Sequence, residues 1–439
     1  MTVDQSVPRA TAQLIVPGDP PRPVEFGHRV VLDGKAVTRR LARELPPIAA
    51  DLIEIATTVY VADQMAARPS MRELDEGVSW ARDLSLEIAV RMPDVWNAHA
   101  AGLSELLEWL TDDTWGLTFT QRMGRRGPLD VSQGFLFDTI PHGAAPVLFS
   151  GGLDSAAGLA TWLAKTEAVA VSVDTNNWMQ HVLQRVLSGL NAVSAHTCVP
   201  LRYRVSTHGQ KHPAESTQRS RGLLFLAVGI ATAWTLGHDQ LQVFENGVGA
   251  VNLPYTLAQF RSQASKAMHP KTIRMAQKLA SAISGRPFRI DAPGMKLTKA
   301  QLIQMAPAAA DGALASSVSC DTGFSARVPR HAPCGTCTSC ILRRQSLHSA
   351  GKAHLDTGAG YRTSSLEGSF AFQTMLWQVS RLRACLDSED PWRDLVLQYP
   401  ELLDTSPLTP TEVIGLYRSY VEEWDDFPEA LQIGRAAAL

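Results

Sequence analysis

Hydrophobic and polar positions change rhythm along this 439-residue chain. From about residue 144, short apolar runs alternate with longer stretches whose apolar residues recur at helical spacing. The runs at 146–149 (PVLF), 168–173 (AVAVSV), 198–206 (CVPLRYRVS), 240–245 (QLQVFE) and 287–291 predict strands. The stretches 155–165, 178–192, 219–236, 270–284 and 298–306 predict helices. Strands apolar on both faces, alternating with helices, predict an α/β fold: a parallel, doubly wound sheet covered on both sides.

The flanking segments have other rhythms. Residues 1–25 are polar and proline-rich and read as a loose arm. Pro46 to Ala66 has helical spacing with prolines at its start, and Arg82 to Val90 alternates as a strand does. Gly116–Arg122 and Gly134–Asp138 read as two more strands around the turn MGRRGPLD. Trp80, Trp96, Trp109 and Trp115 in this region read as core anchors. The chain thus divides into an arm (1–25), an N-terminal α+β domain (26–143), the sheet domain (144–356) and a helical, acidic C-terminal extension (357–439).

The stretch PVLFSGGLDSAAGLAT, from Pro146 to Thr161, runs from strand through glycine turn to helix start. A helix N-terminus offers unpaired N–H groups and partial positive charge to an anion. Gly151 and Gly152 let backbone approach closely, while Ser150 and Ser155 add hydroxyls. Asp154 can hold the loop or a Mg²⁺ ion. With Leu153 they form the hexapeptide of a pyrophosphate cradle, which lacks the spacing of a GxxxxGK[ST] loop. Ligands on such sheets bind outside the carboxyl ends of the strands. Two further strand ends therefore belong to the candidate site, Val173-Asp174 and Glu245-Asn246-Gly247. Asp174 reads equally well as a helix N-cap or turn residue.

Cys320, Cys334, Cys337 and Cys340 follow the spacing C-x13-C-x2-C-x2-C, with Gly335 allowing a sharp backbone within CGTCTSC. Four thiolates suit a closed tetrahedral Zn²⁺ site, with a four-iron cluster as the alternative. Cys198 and Cys385 read as inert core residues. Six cysteines in so long a chain make no disulfide framework.

Charge narrows the partners. The net charge of −2 excludes nucleic-acid binding by bulk electrostatics. Residues 201–300 nevertheless carry fourteen Lys/Arg against four Asp/Glu, and residues 381–439 five against twelve. The basic region fits an anion site; the acidic tail either covers part of it or meets a partner, and both can also be solvated faces. The apolar run Gly222–Gly237 is short for a membrane span and reads as a buried helix. With no signal-peptide pattern at the start, the reading is a cytoplasmic protein.

SGGLDS after an apolar strand resembles the pyrophosphate loop of the N-type ATP pyrophosphatases. Together with SVSC and CGTCTSCILRR it resembles the QueC family, the 7-cyano-7-deazaguanine synthases. RSRGLLFLAVGIATAWTLG (219–237) resembles the family's helix with an arginine-rich start, and Leu297-Thr298-Lys299-Ala300 its LTKxE segment. The likeness covers about residues 144–353. There are departures. The family's Asp-Tyr-Gly-Gln-Arg-His run is replaced by Asp174-Thr175-Asn176-Asn177, with Gln180-His181 further on. Its Tyr-Pro-Asp-Cys loop is replaced by Glu245-Asn246-Gly247 and Asn252-Leu253-Pro254-Tyr255. The long front segment, with DLIEIATTVYVADQ and LLEWLTDDTW, and the tail give a layout similar to the QueC-like proteins of anti-phage operons. Among these are the QatC proteins of the Qat system and the QueC-like members of type IV CBASS operons.

The resemblance implies a PP-loop fold of the adenine nucleotide alpha hydrolase type, with ATP, Mg²⁺ and Zn²⁺ as cofactors. It implies adenylation of the carboxylate of 7-carboxy-7-deazaguanine, with Asp154 and Lys299 catalytic and Arg219, Arg221 and Asn252 among the binding residues. In the defence branch the acyl group passes to an amine at the N-terminus of a partner protein from the same operon. The alternatives are a decorated nitrile-forming synthase using ammonia and a non-catalytic nucleotide-binding subunit. A tRNA-modifying pyrophosphatase lacks a recognisable RNA-binding module here.

Overall fold

A computed structural model of the chain describes residues 11–25, 30–32, 41, 44–123, 129–130, 140–174, 177–207, 214–215, 217–255, 265–321, 332–356 and 360–427. Its centre is a six-stranded sheet. In chain order the strands are β3 (Val30–Leu32), β6 (Ala145–Leu148), β7 (Ala168–Asp174), β8 (Cys198–Thr207), β9 (Gln240–Val243) and β10 (Arg289–Asp291). The spatial order is β10-β9-β6-β7-β8-β3. All neighbours run parallel except β3, which pairs antiparallel with β8, Val30 opposite Thr207. Every position of β6 and β7 is buried, which is why these strands read as unbroken apolar runs.

The order contains the feature that places the site. From β6 the chain steps outward through β7 to β8, then returns to β9 on the other side of β6. The carboxyl ends of β6 and β9 therefore flank a topological switch point, where the flanking connections leave in opposite directions and open a crevice. The β6 end carries Ser150–Ser155, and the β9 end carries Glu245 and Asn246.

The front segment holds a four-stranded sheet in the order β2-β1-β4-β5: β1 is Thr11–Ile15, β2 Arg22–Glu25, β4 Asp83–Val90 and β5 Thr114–Gln121. This corrects the reading of residues 1–25 as a loose arm for the part from residue 11. Ala12, Leu14 and Val24 are buried. Proline abundance hid the alternation, and Pro23 is tolerated because β2 lies at the sheet's edge. Helix α1 (Pro47–Met65) packs on the domain's core, and α2 (Pro93–Thr111) connects β4 to the parallel β5. The sequence reading missed α2, although Leu103, Leu106, Leu107 and Leu110 are buried along one face. The expected strand at 134–138 lies outside the described residues. Trp96 and Trp115 are core residues as expected.

The sheet domain's helices are α3 (Leu153–Leu163), α4 (Asn177–Val193), α5 (Arg221–Leu236), α6 (Gly247–Val251), α7 (Pro270–Ser284), α8 (Lys299–Gln304), α9 (Asp311–Ser316) and α10 (Thr338–Ser349). The C-terminal extension is helical, as expected: α11 (Phe370–Leu386), α12 (Pro391–Gln398) and α13 (Pro410–Glu422). Among the described residues no helix is long and apolar enough to cross a membrane.

Helix α5 is buried along nearly its whole length because the sheet covers one side and α1 the other. Buried charges join the domains. Arg82 pairs with Asp63 at 2.5 Å and with Asp113 at 2.6 Å, and Arg68 meets Asp113 at 2.8 Å. Arg219 reaches Asp112 at 2.5 Å, and Ser220 Oγ donates to Asp63 Oδ2 at 2.6 Å. Removing one partner from such a set strands a buried charge. The set fixes residues 219–220, immediately before α5.

A second seam joins α2 to α7. Trp109 Nε1 donates to Thr272 Oγ1 at 2.9 Å, and its ring meets the His269 edge at 5.2 Å. His269 caps α7, its Nδ1 accepting from Lys271 N at 3.2 Å. Burial lowers the His269 pKa to about 4, with Lys266, Lys271 and Arg274 adding to the effect and Asp404 opposing it. The unfolded histidine titrates near 6.5, so the neutral folded form is favoured. His269 thus contributes stability that is complete above pH 6.5 and is lost as pH falls through about 4. His269→Asn keeps a cap acceptor without the titration. Denaturant melts should show wild type losing up to about 3 kcal/mol more than this variant between those limits. Parallel stability–pH curves for the two proteins would contradict this assignment.

Candidate active site

Gly151 adopts φ +80°, a region open to glycine, and turns the chain from β6 into α3. The N-cap of α3, Gly152, has no side chain with which to cap the helix. Ser150 Oγ and Ser155 Oγ lie 3.2 Å apart, and Ser155 Oγ also donates to Gly152 O at 3.0 Å. Leu153 N donates to Ser319 Oγ at 3.4 Å, and Val318 N to Gly151 O at 3.1 Å. The loop is therefore held by the segment that leads into Cys320.

Asp154 is the centre of the charge pattern. Its Oδ2 accepts from Asn246 Nδ2 at 3.1 Å and forms a buried ion pair with Lys299 Nζ. Its Oδ1 is buried with no hydrogen-bond partner among the described residues. Asn246 caps α6, accepting from Gly249 N at 2.8 Å, and donates to Glu245 Oε1 at 3.3 Å. Burial, followed by the neighbouring Asp154 charge, pushes Glu245 up to about 8. Lys299 opens α8 behind the Thr298 cap, and Thr298 Oγ1 bonds Glu423 of the C-terminal extension. Asp154, Glu245, Asn246 and Lys299 border a cavity of ≈ 580 Å³. The C-terminal extension forms part of its wall through Gln378 and Tyr417.

The four cysteines converge beside this cavity. Their sulfurs all lie within 4.8 Å of one another, and Cys334 Sγ and Cys340 Sγ are 3.9 Å apart. Zn–S bonds of about 2.3 Å put tetrahedral sulfurs roughly 3.8 Å apart, so the set fits one tetrahedral ion. A four-iron cluster, with each sulfur on a separate iron, needs wider spacing. Gly335 has φ +86°, and a Cβ there would sit 2.0 Å from Thr363 O. Cys337 caps α10 and Cys340 lies in its first turn. Cys334 N donates to Cys320 Sγ at 3.3 Å and Cys337 N to Cys334 Sγ at 3.2 Å. Hydrogen bonding with the Cys320 and Cys340 sulfurs pushes the Cys337 thiol up, a crowding that a bound cation relieves. Cys340 Sγ contacts Ser319 O at 3.3 Å.

Residues 144–351 match the family model described as QueC, queuosine biosynthesis protein. The 7-cyano-7-deazaguanine synthase of Methylococcus capsulatus is 29% identical over 232 residues, 48% of this chain and 96% of that protein. That of Anaeromyxobacter sp. is 27% identical over 237 residues, covering 48% and 94%. The enzyme of Aquifex aeolicus is 26% identical over 231 residues, covering 47% and 97%. The central domain is QueC-like. The front segment and the C-terminal helices lie outside the match.

Within the QueC-like domain the structure sorts the expected site residues. Ser150, Gly152, Leu153, Asp154, Ser155, Val173, Arg221, Glu245, Asn246, Asn252 and Lys299 border the cavity. Arg219 does not: its guanidinium is committed to Asp112 and Thr111 O in the domain seam. Asp174 turns to Arg202, with Oδ2 2.5 Å from its Nη2, and likewise stays off the cavity wall. Gly247 is a point of close approach, donating to Leu297 O at 2.8 Å; a Cβ there would sit 2.2 Å from Met295 O. Gly151 acts by its backbone turn. Cys198 is a buried core residue whose thiol burial pushes up to about 12. Sequence reasoning missed Ser319, although it stands within the quoted SVSC motif. It also missed Gln378 and Tyr417, for which no pattern in the chain gave a signal.

Proposed function

We propose that this protein uses ATP to activate the carboxylate of 7-carboxy-7-deazaguanine and transfers the acyl group to an amine, acting in the cytoplasm. The observation that carries the reading is the arrangement at the switch point. The start of α3, whose N-cap is a glycine, the Ser150 and Ser155 hydroxyls, Lys299 and Asp154, whose Oδ1 has no hydrogen-bond partner among the described residues, belong to residues that border one cavity. Donors, a cation and a free carboxylate oxygen at one point suit a polyphosphate with its divalent metal. Asp154 would hold Mg²⁺, which supplies charge neutralisation of the phosphates when bound.

The chemistry balances as follows. A carboxylate oxygen of the acid bonds to the α-phosphorus of ATP, and the α–β bridging P–O bond breaks to release pyrophosphate. The amine nitrogen then bonds to the acyl carbon, the acyl–O bond to AMP breaks, and the nitrogen loses a proton. Lys299 and the α3 N–H groups stabilise the charge that develops on the departing pyrophosphate. Asn246 orients Asp154 for this work.

The acceptor we favour is the N-terminus of a partner protein from the same operon, within an anti-phage defence system. The front segment and the C-terminal helices outside the QueC-like match support it. The second reading, nitrile formation with ammonia, draws on relatives named 7-cyano-7-deazaguanine synthase that match over nearly their whole length. The two part in one experiment. Neighbouring operon proteins are co-expressed with this chain, wild type or Asp154→Ala, in cells making 7-carboxy-7-deazaguanine, and their intact masses are measured. One deazaguanine acyl mass on a partner's N-terminus, seen only with wild type, is the expected result. Free 7-cyano-7-deazaguanine with no adduct would select the nitrile-forming reading.

A further inference from the structure

Asp154 is held from two sides, by Asn246 at the end of β9 and by Lys299 at the start of α8. Both sides rest on the last helix of the C-terminal extension. On the β9 side, α13 packs on α6 and on the turn Pro293–Lys296. Leu416 of α13 closes on Gly247, the neighbour of Asn246, so tightly that a Cβ there would sit 2.7 Å from Leu416 Cδ2. On the Lys299 side, Thr298 is fully buried and caps α8, its Oγ1 accepting from Gln301 N at 3.1 Å. The same hydroxyl donates to Oε1 of Glu423, the C-cap of α13. The Glu423 carbonyl accepts from the buried Gln345 Nε2 of α10 at 2.9 Å, which fixes this end of α13 in turn.

The Glu423 carboxyl is poorly placed as a source of stability. Burial pushes it up to about 7, against hydrogen bonds with Thr298 and Gln345, and its Oε2 is buried with no hydrogen-bond partner among the described residues. Burying an acid in this way costs folding free energy. Its definite contact with the site is the Thr298 hydroxyl, one residue before Lys299. We propose that Glu423 is a positioning residue, which by taking the Thr298 hydroxyl fixes the start of α8 and so sets the Lys299 ammonium against Asp154. The extension that the QueC-like match leaves out is then part of the catalytic apparatus. The effect on turnover rests on the role given to Lys299 above; the placing of Lys299 by Glu423 does not.

The test uses the full chain as wild type, Glu423→Met, Glu423→Ala, Glu423→Gln and, as a control, a substitution of the exposed neighbour, Glu422→Gln. Three quantities are read: acetylation of Lys299 by acetic anhydride relative to the exposed Lys165, thermal melting, and deazaguanine-dependent pyrophosphate release. Glu423→Met fills the place of the acid without an oxygen for Thr298. It should acetylate Lys299 several-fold faster, melt no lower than wild type, and lose about ten- to hundred-fold in kcat with KM for ATP little changed. Glu423→Ala should give the same labelling and kcat with a lower melting temperature. Glu423→Gln keeps an oxygen for the Thr298 hydroxyl and should restore labelling and kcat, and Glu422→Gln should match wild type. A structural glutamate gives lower melting temperatures with unchanged Lys299 labelling and kcat, and that pattern overturns the proposal. So does lower kcat with unchanged labelling, or failure of both Glu423→Met and Glu423→Ala to fold. Absence of deazaguanine-dependent pyrophosphate release from wild type removes the substrate reading and leaves Lys299 labelling to decide the role of Glu423.

Discussion

Asp154→Asn is expected to lower deazaguanine-dependent pyrophosphate release at least about 100-fold, the scale seen when one preorganised electrostatic group is lost from a water-poor site. The substitution preserves shape, and an amide oxygen can still accept from Lys299. What goes is the negative charge that holds the Lys299 ammonium in place and leaves Oδ1 for a cation. The effect should fall on turnover, since the substitution removes a charge and keeps the size of the side chain. Lys299→Met should act in the same direction; it strands the Asp154 carboxylate as Asp154→Asn strands the Lys299 ammonium, so both variants should also cost some stability. The measurements are pyrophosphate release and thermal melting on the same preparations. Turnover within three-fold of wild type in a folded Asp154→Asn protein would remove Asp154 from the chemistry.

Stripping the metal should have the largest effect on folding. A structural tetrathiolate zinc site can carry on the order of 10 kcal/mol of folding free energy. Cys337→Ser, or chelation of the wild type, is therefore expected to lower the melting temperature by more than about 10 °C. Elemental analysis should find one zinc per chain before treatment and none after. Activity should vanish with the metal even where the rest of the chain stays folded. The reason lies in the Ser319 segment, which touches Cys340 Sγ through its carbonyl and holds the Gly151–Leu153 turn through its hydroxyl and through Val318 N. A metal-free protein that melts as wild type does would show that the four cysteines pack well without an ion.

The sheet domain was legible in the sequence because its signals are local. Strands buried on both faces are apolar throughout, so β6 and β7 stand out, and α7 fell on the expected residues 270–284. The cysteine spacing and SGGLDS are equally compact signatures. What stayed hidden depends on distant partners. Asp51, Glu54 and Asp63 on α1 are buried only because Arg91 and Arg82 reach them. Arg219 looked like an anion binder because Asp112, which takes it, lies 107 residues earlier. Tyr417 and Gln378 enter the cavity wall by folding back over it, and nothing in their neighbourhood along the chain marks that return. The strands at 11–15 and 22–25 were masked by prolines sitting at a turn and at a sheet edge.

The pairing of β3 with β8 bears on how the molecule can be divided. Val30–Leu32 lies far ahead of residue 144 in the chain yet covers the outer side of β8. A protein trimmed to residues 144–351 would leave the backbone N–H and C=O groups of Val205–Thr207 without these partners. Uncovered strands of this kind recruit other chains. The trimmed protein would therefore tend to self-associate, and the QueC-like segment cannot be transplanted as a cassette without its N-terminal strand.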